Sequence, residues 1–187
     1  MRKSCILFVF ALLISLFGTA QSLVGTWEVQ EEIDDNGTPL FITLTPYFGD
    51  DGSMNLYCEM NMTLDALGEG TPEGELEVGF GTDVQGKWER NGNELTMNLD
   101  CDNIEVYGTN LMMPNMEVER ANIIVEQFQQ VIGSLQGELT EHFKTVVSAF
   151  NTTLIIVKLT EDELALDDGS DEPVTFQRAD AGNYDPE

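Results

Sequence analysis

The architecture turns on Val24-Gly25-Thr26-Trp27-Glu28-Val29. Its β-branched and aromatic residues predict a strand, and its Gly-x-Trp marks that strand as the first of a small antiparallel barrel. Near the other end of the chain, Phe176-Gln177-Arg178 alternates apolar and polar residues just before the tail. Pairing these two segments closes a sheet on itself and makes Trp27 and Arg178 a structural clasp. A guanidinium over an indole face gains cation–π attraction and shields the ring from water.

Between the two ends the chain reads as strand, turn, strand. Leu23 to Glu32 is followed by the turn Asp34-Asp35-Asn36-Gly37 and by a second strand from Pro39 to Phe48. Gly49-Asp50-Asp51-Gly52 turns the chain into Ser53 to Leu64, which has the cleanest alternation in the protein. Asp65 to Gly74, rich in Gly and acid and containing Pro72, predicts a long exposed loop. Glu75 to Arg90 carries Leu76, Val78, Phe80, Val84 and Trp88 in even register. Asn91-Gly92-Asn93 is a hairpin signal, and Glu94 to about Val106 pairs back. Thr152 to Leu159, Glu163 to Asp167 and Pro173 to Ala179 supply the last strands.

Glu117 to Phe150 breaks the pattern. Ala121, Ile124, Val125, Phe128, Val131, Ile132, Leu135, Leu139, Phe143, Val146 and Phe150 recur at threes and fours, the period of a helix. Gly133 and Gly137 offer a break, predicting two helices folded back on each other. The expected fold is therefore mainly β: a single up-and-down antiparallel β-barrel of about eight strands, with a helical insert at about 117–150 before the last strands.

Residues 1–20 have the form of a secretory signal peptide. Arg2 and Lys3 precede an apolar core from Ile6 to Phe17, and Gly18-Thr19-Ala20 supplies small residues for cleavage before Gln21. Residues 21–187 form the one expected domain, exported and soluble, in the periplasm or outside the cell. Of the 8 Lys and Arg in the chain, Arg2 and Lys3 leave with the leader, so six remain against 34 Asp and Glu. Such a chain repels polyanions. Nucleic-acid binding and anionic membrane surfaces are disfavoured, because both need clustered basic residues.

Several short motifs follow one another in a specific order: Gly25-Thr26-Trp27, the Asp51-Gly52 hairpin, and Gly86-Lys87-Trp88 followed by Gly92 and Leu95. The segment Leu159-Thr160-Glu161-Asp162-Glu163-Leu164 and the closing Phe176-Gln177-Arg178 complete the series. This order resembles the lipocalin-like (calycin) domains of exported Bacteroidetes proteins. The resemblance implies a barrel in which the early Gly-x-Trp packs under an Arg from the last strand. The helical insert is longer than in a typical lipocalin, and the usual helix after the eighth strand is absent.

A barrel of this size either fills with side chains or keeps a cavity for one small ligand. Met54, Leu56, Met60, Met62, Met97 and Phe80 are the candidate lining residues, and the flexible thioethers suit varied apolar ligands. Met112 and Met113, before Pro114, are expected near the barrel mouth. Cys58 and Cys101 are the cysteines outside the leader, which holds Cys5. An oxidising compartment favours a disulfide between them, whereas a complete strand between their strands would hold them about 9 to 10 Å apart and prevent it. No catalytic residue and no cofactor is expected: a Ser–His or Cys–His nucleophile would need His142, the single His, which the pattern places on the insert. No metal is expected either, since Asp100-Cys101-Asp102-Asn103 and Asp167 to Glu172 read as solvated turns without the spacing of an EF-hand. The expected function is non-catalytic binding of a small hydrophobic ligand inside the barrel. The alternative is a protein-interaction module using the acidic surface or the helical insert, with a filled barrel as scaffold.

Overall fold

Period-two alternation builds the wall of the molecule, and long apolar runs on one face of each strand close it. The computed structural model describes residues 22–179 apart from 36, 37, 69, 170 and 171. The expected signal peptide over 1–20, with Cys5, lies outside the described residues, as do the tip of the first expected turn and part of the 167–172 acidic turn. The elements are β1 (Gly25–Asp35), β2 (Thr38–Phe48), β3 (Ser53–Asp65), β4 (Glu75–Asn91), β5 (Glu94–Leu99) and β6 (Tyr107–Met112). Helix α1 (Val118–Ala149), β7 (Thr153–Leu159), β8 (Glu163–Asp167) and β9 (Val174–Arg178) follow. Strands β1, β2, β3, β4, β5, β7, β8 and β9 pair in that order, and β9 pairs back to β1, giving a closed antiparallel eight-stranded barrel.

The ninth strand changes how the wall is shared. β4 pairs over Gly86–Asn91 with β5 and over Glu77–Gly81 with β6, so one long strand serves two partners in succession. Sequence reading carries a single strand through to about Val106. The structure instead ends β5 at Leu99, and the Asp100 carboxylate closes a turn by accepting from Asp102 N (3.3 Å) and Asn103 Nδ2 (3.0 Å). β6 has the sequence Tyr-Gly-Thr-Asn-Leu-Met, without the apolar alternation that would announce a strand.

The loop between β3 and β4 is ordered by one carboxylate. Asp65 Oδ1 accepts from the backbone N–H of Leu67 (3.2 Å) and Gly68 (2.8 Å), and Oδ2 accepts from Gly70 N (2.7 Å).

The insert is one helix. Hydrogen bonding runs unbroken from Val118 to Ala149, so the turn expected at Gly133 and Gly137 does not form. At 1.5 Å per residue the helix is about 48 Å long. Its nearest strands are β3 and β6. Ala121, Phe143 and Val147 are buried in the core, and Ile124, Val125, Phe128, Ile132, Leu139, Val146 and Phe150 pack against it. The apolar stripe expected from spacing is thus the face that packs, whereas Val131, in the same series, is exposed.

Candidate functional site

The interior wall is made by β3 and β4. Met54, Leu56, Cys58 and Met60 alternate inward on β3, opposite Gly86, Val84, Thr82 and Phe80 of β4. Met54, Leu56, Met60, Phe80 and Met97 are buried in the same core cluster as Trp27, while Met62 is half-buried against it. Met113 is buried and Met112 exposed at the end of β6. Thr82 and Cys58 face each other across the β3–β4 ladder, and the fully buried Thr82 Oγ1 has no hydrogen-bond partner. Burial, reinforced by the negative charge of Glu59, pushes the Cys58 thiol up to about 12. A thiol held protonated in this way is a poor nucleophile.

A concave surface lies where this wall meets the helix. A cleft of about 290 Å³ between β6 and α1 is lined by Phe80, Val106, Gln129, Ile132, Gln136 and Leu139, among others. An adjoining cleft of about 230 Å³ shares Phe80, Gly108, Gln129 and Ile132 with it. The opening arises from the register. Gly79 opposes Asn110 but Phe80 opposes Gly108, so Thr109 is an extra residue and β6 bulges beside the helix. Apolar side chains make the floor, and two glutamine amides stand at its edge. Phe80 links this cleft to the methionine wall, since Phe80 opposes Met60 directly.

The clasp holds the opposite end of the barrel. Arg178 Cζ stands 4.1 Å from the centre of the Trp27 ring, and the two residues are direct partners in the β1–β9 ladder. Arg178 Nη1 donates to Val24 O (3.1 Å), Nη2 to Ser22 O (2.9 Å) and Nε to Glu161 O. Trp27 is fully buried and its Nε1 donates to Leu23 O at 2.8 Å. Gly25 is required twice over. Its φ is +125°, and a Cβ there would lie 2.6 Å from Arg178 Nη1. A second indole closes the neighbouring turn: Trp88 Nε1 donates to Gly49 O (3.0 Å), and its ring meets Phe48 edge-on at 5.5 Å.

The remaining candidates are scattered. Cys58 and Cys101 are free thiols, so the disulfide does not form. β4 stands between β3 and the strand that leads to Cys101, which is the separation that prevents a bond. His142 is exposed on α1. Among the described residues, no group of three or more His, Cys, Asp or Glu is placed to hold a metal ion, and no helix is long and apolar enough to cross a membrane. No family model matches the chain, and no curated protein matches its sequence.

Proposed function

We propose that this is a non-catalytic, exported, lipocalin-like protein that binds one small hydrophobic molecule where the barrel wall meets its helix. The observation that carries the reading is the cleft between β6 and α1, whose apolar floor of Phe80, Val106, Ile132 and Leu139 is bordered by Gln129 and Gln136. Small-molecule sites are concave, mostly apolar and oriented by a few polar groups, and occupy about 300 to 1,000 Å³. The two adjoining clefts reach that range together. Phe80 stands between this cleft and Met60, whose side chain adapts its shape at little cost. The acidic surface favours a neutral ligand over an anionic one.

Uptake of the neutral dye N-phenyl-1-naphthylamine tests the site. Gly133 lines the cleft, and a Cβ added there meets no atom within 4 Å, so Gly133→Trp adds bulk at the opening from an exposed helix position. Wild-type protein is expected to bind the dye saturably, and Gly133→Trp to weaken it at least tenfold with unchanged circular dichroism. Absent uptake by the wild type, or full uptake by the variant, would sink the reading.

One observation favours the interaction-module alternative: Val118, Ile123 and Val131 of α1 are 74%, 60% and 52% exposed. Under that alternative, Ile123→Lys with Val131→Lys abolishes partner capture and leaves dye uptake as it was.

A further inference from the structure

The outward face of β2, β3, β4 and β6 has a composition that solubility alone does not require. Register places Phe41, Asn61, Gly79 and Asn110 in one row across the four strands. The next row toward the barrel's closed end is Thr43, Glu59, Gly81 and Tyr107, and the one beyond it contains Thr45, Tyr57 and Asp83. In the other direction Thr63 and Glu77 oppose each other. These rows hold aromatic rings, amides, carboxylates, hydroxyls and two glycines, with no Lys or Arg.

The glycines are the physical clue. Glycine weakens a strand interior, and its presence there commonly marks close approach by another group. Gly79 and Gly81 occupy outward positions of β4 yet are buried. A Cβ on Gly79 would lie 2.5 Å from both Asn61 Oδ1 and Thr109 Oγ1, and one on Gly81 would lie 2.9 Å from Thr109 Cγ2 and 3.2 Å from the Tyr57 ring. The bulge at Thr109 aims that side chain over the glycine floor. Polar groups therefore converge here because β4 withdraws its own side chains.

Their partners hold them in place. Tyr107 donates its hydroxyl to Asp83 Oδ2, Asn55 Nδ2 donates to Asp83 Oδ1 (3.4 Å), and Asn110 Nδ2 donates to Glu77 Oε2 (3.3 Å). A cleft of about 170 Å³ opens on this face, lined by Phe41, Asn61, Thr63, Glu77 and Asn110 among others. It borders the smaller of the clefts beside the helix, with Asn110 common to both.

We propose that this face binds a neutral carbohydrate, with one sugar ring seated against Phe41 in the cleft. A pyranose presents a C–H face that packs on an aromatic ring, and an edge of hydroxyls that each donate and accept. Amides, carboxylates and a threonine hydroxyl supply both roles. A cation would need several acceptors clustered together, and among the described residues no group of three or more His, Cys, Asp or Glu is placed to hold one. An anionic sugar would meet Glu59, Glu77 and Asp83. Phe41 and Tyr107 lie three strand spacings apart, about 14 Å, so the platform suits an oligosaccharide better than a single sugar.

Isothermal titration tests this with hexasaccharides of glucose, mannose, xylose and N-acetylglucosamine, alongside hexagalacturonate and tetramethylammonium chloride. At least one neutral hexasaccharide is expected to bind saturably and hexagalacturonate not to bind. Phe41→Ala and Asn61→Ala are each expected to weaken binding at least tenfold. Phe41→Leu, which keeps apolar volume but removes the ring, covers the case in which Phe41→Ala does not fold. Binding of tetramethylammonium alone, tighter binding of hexagalacturonate, no neutral hexasaccharide bound, or undiminished binding by folded Phe41→Leu and Asn61→Ala overturns the proposal.

Discussion

The two halves of the barrel are held shut by different physics. At the clasped end, closure depends on directed contacts. Arg178 lies over Trp27 and donates to three backbone carbonyls, and Trp88 donates to the β2–β3 turn. At the other end β4 leaves β5 for β6, and helix α1 covers the interior mainly through apolar packing, with Phe143 and Val147 fully buried. Directed contacts specify one geometry, whereas apolar packing tolerates several shapes of similar volume. This difference explains why the clefts beside α1 fall in the half closed by packing.

The largest test of the comparison is at the clasp. Trp27→Ala is expected to lower the free energy of unfolding by about 3–5 kcal/mol in urea titrations followed by circular dichroism. Arg178→Ala, which uncovers the ring and leaves three carbonyls without their donor, should cost about 1–3 kcal/mol. Arg178→Lys should recover less than half of that, because a single ammonium cannot match the planar fork. An Arg178→Ala protein as stable as wild type would mean that packing closes this end too.

The pH dependence sharpens the picture in the middle of the wall. The Cys58 thiol is raised from 9.0 to about 12 in the folded protein, so the unfolded chain releases this proton first. Stability from this group is complete below about pH 9 and falls through the window from 9 to about 12, at up to roughly 1.4 kcal/mol per pH unit. Tyr57, also raised, mainly by burial and then by Glu59, adds a loss of the same sign above its ordinary 10.0. Cys58→Ala is therefore expected to flatten the slope between pH 9 and 10 and to leave a residual fall above it. An unchanged slope would mean that the thiol is solvated.

The smallest effect distinguishes an unbroken helix from a folded-back pair. Gly133 and Gly137 are exposed within α1, and a Cβ at either meets nothing within 4 Å. Replacing either with Ala should raise stability by about 0.5–1 kcal/mol, the usual cost of Gly in a helix. Destabilisation by either change would point to a turn there.

Much of this was legible because it depends on near neighbours. The bounds Glu163 to Asp167 follow from alternation, and α1 lies within a residue or so of the span its apolar period predicts. β6 was not legible. Its residues pair with β4 across an intervening strand and turn, and its outward tyrosine and asparagine and its bulged threonine serve a surface rather than a core. The cleft under α1 was equally hidden, because Gln129, Gln136 and Val106 carry no periodic signal and meet only when helix and bulge are brought together.

The strand periods, the helical insert, the acidic balance and the residues at both ends of the clasp are all written in spacing or charge along the chain. Long-range packing is what divides β4 between β5 and β6, keeps the helix unbroken, holds Cys58 and Cys101 apart, and sets Phe41, Asn61, Gly79 and Asn110 in one row. Those outcomes depend on which strands become neighbours, and strand pairing over long separations is set by the packing of the whole barrel rather than by any local stretch of chain.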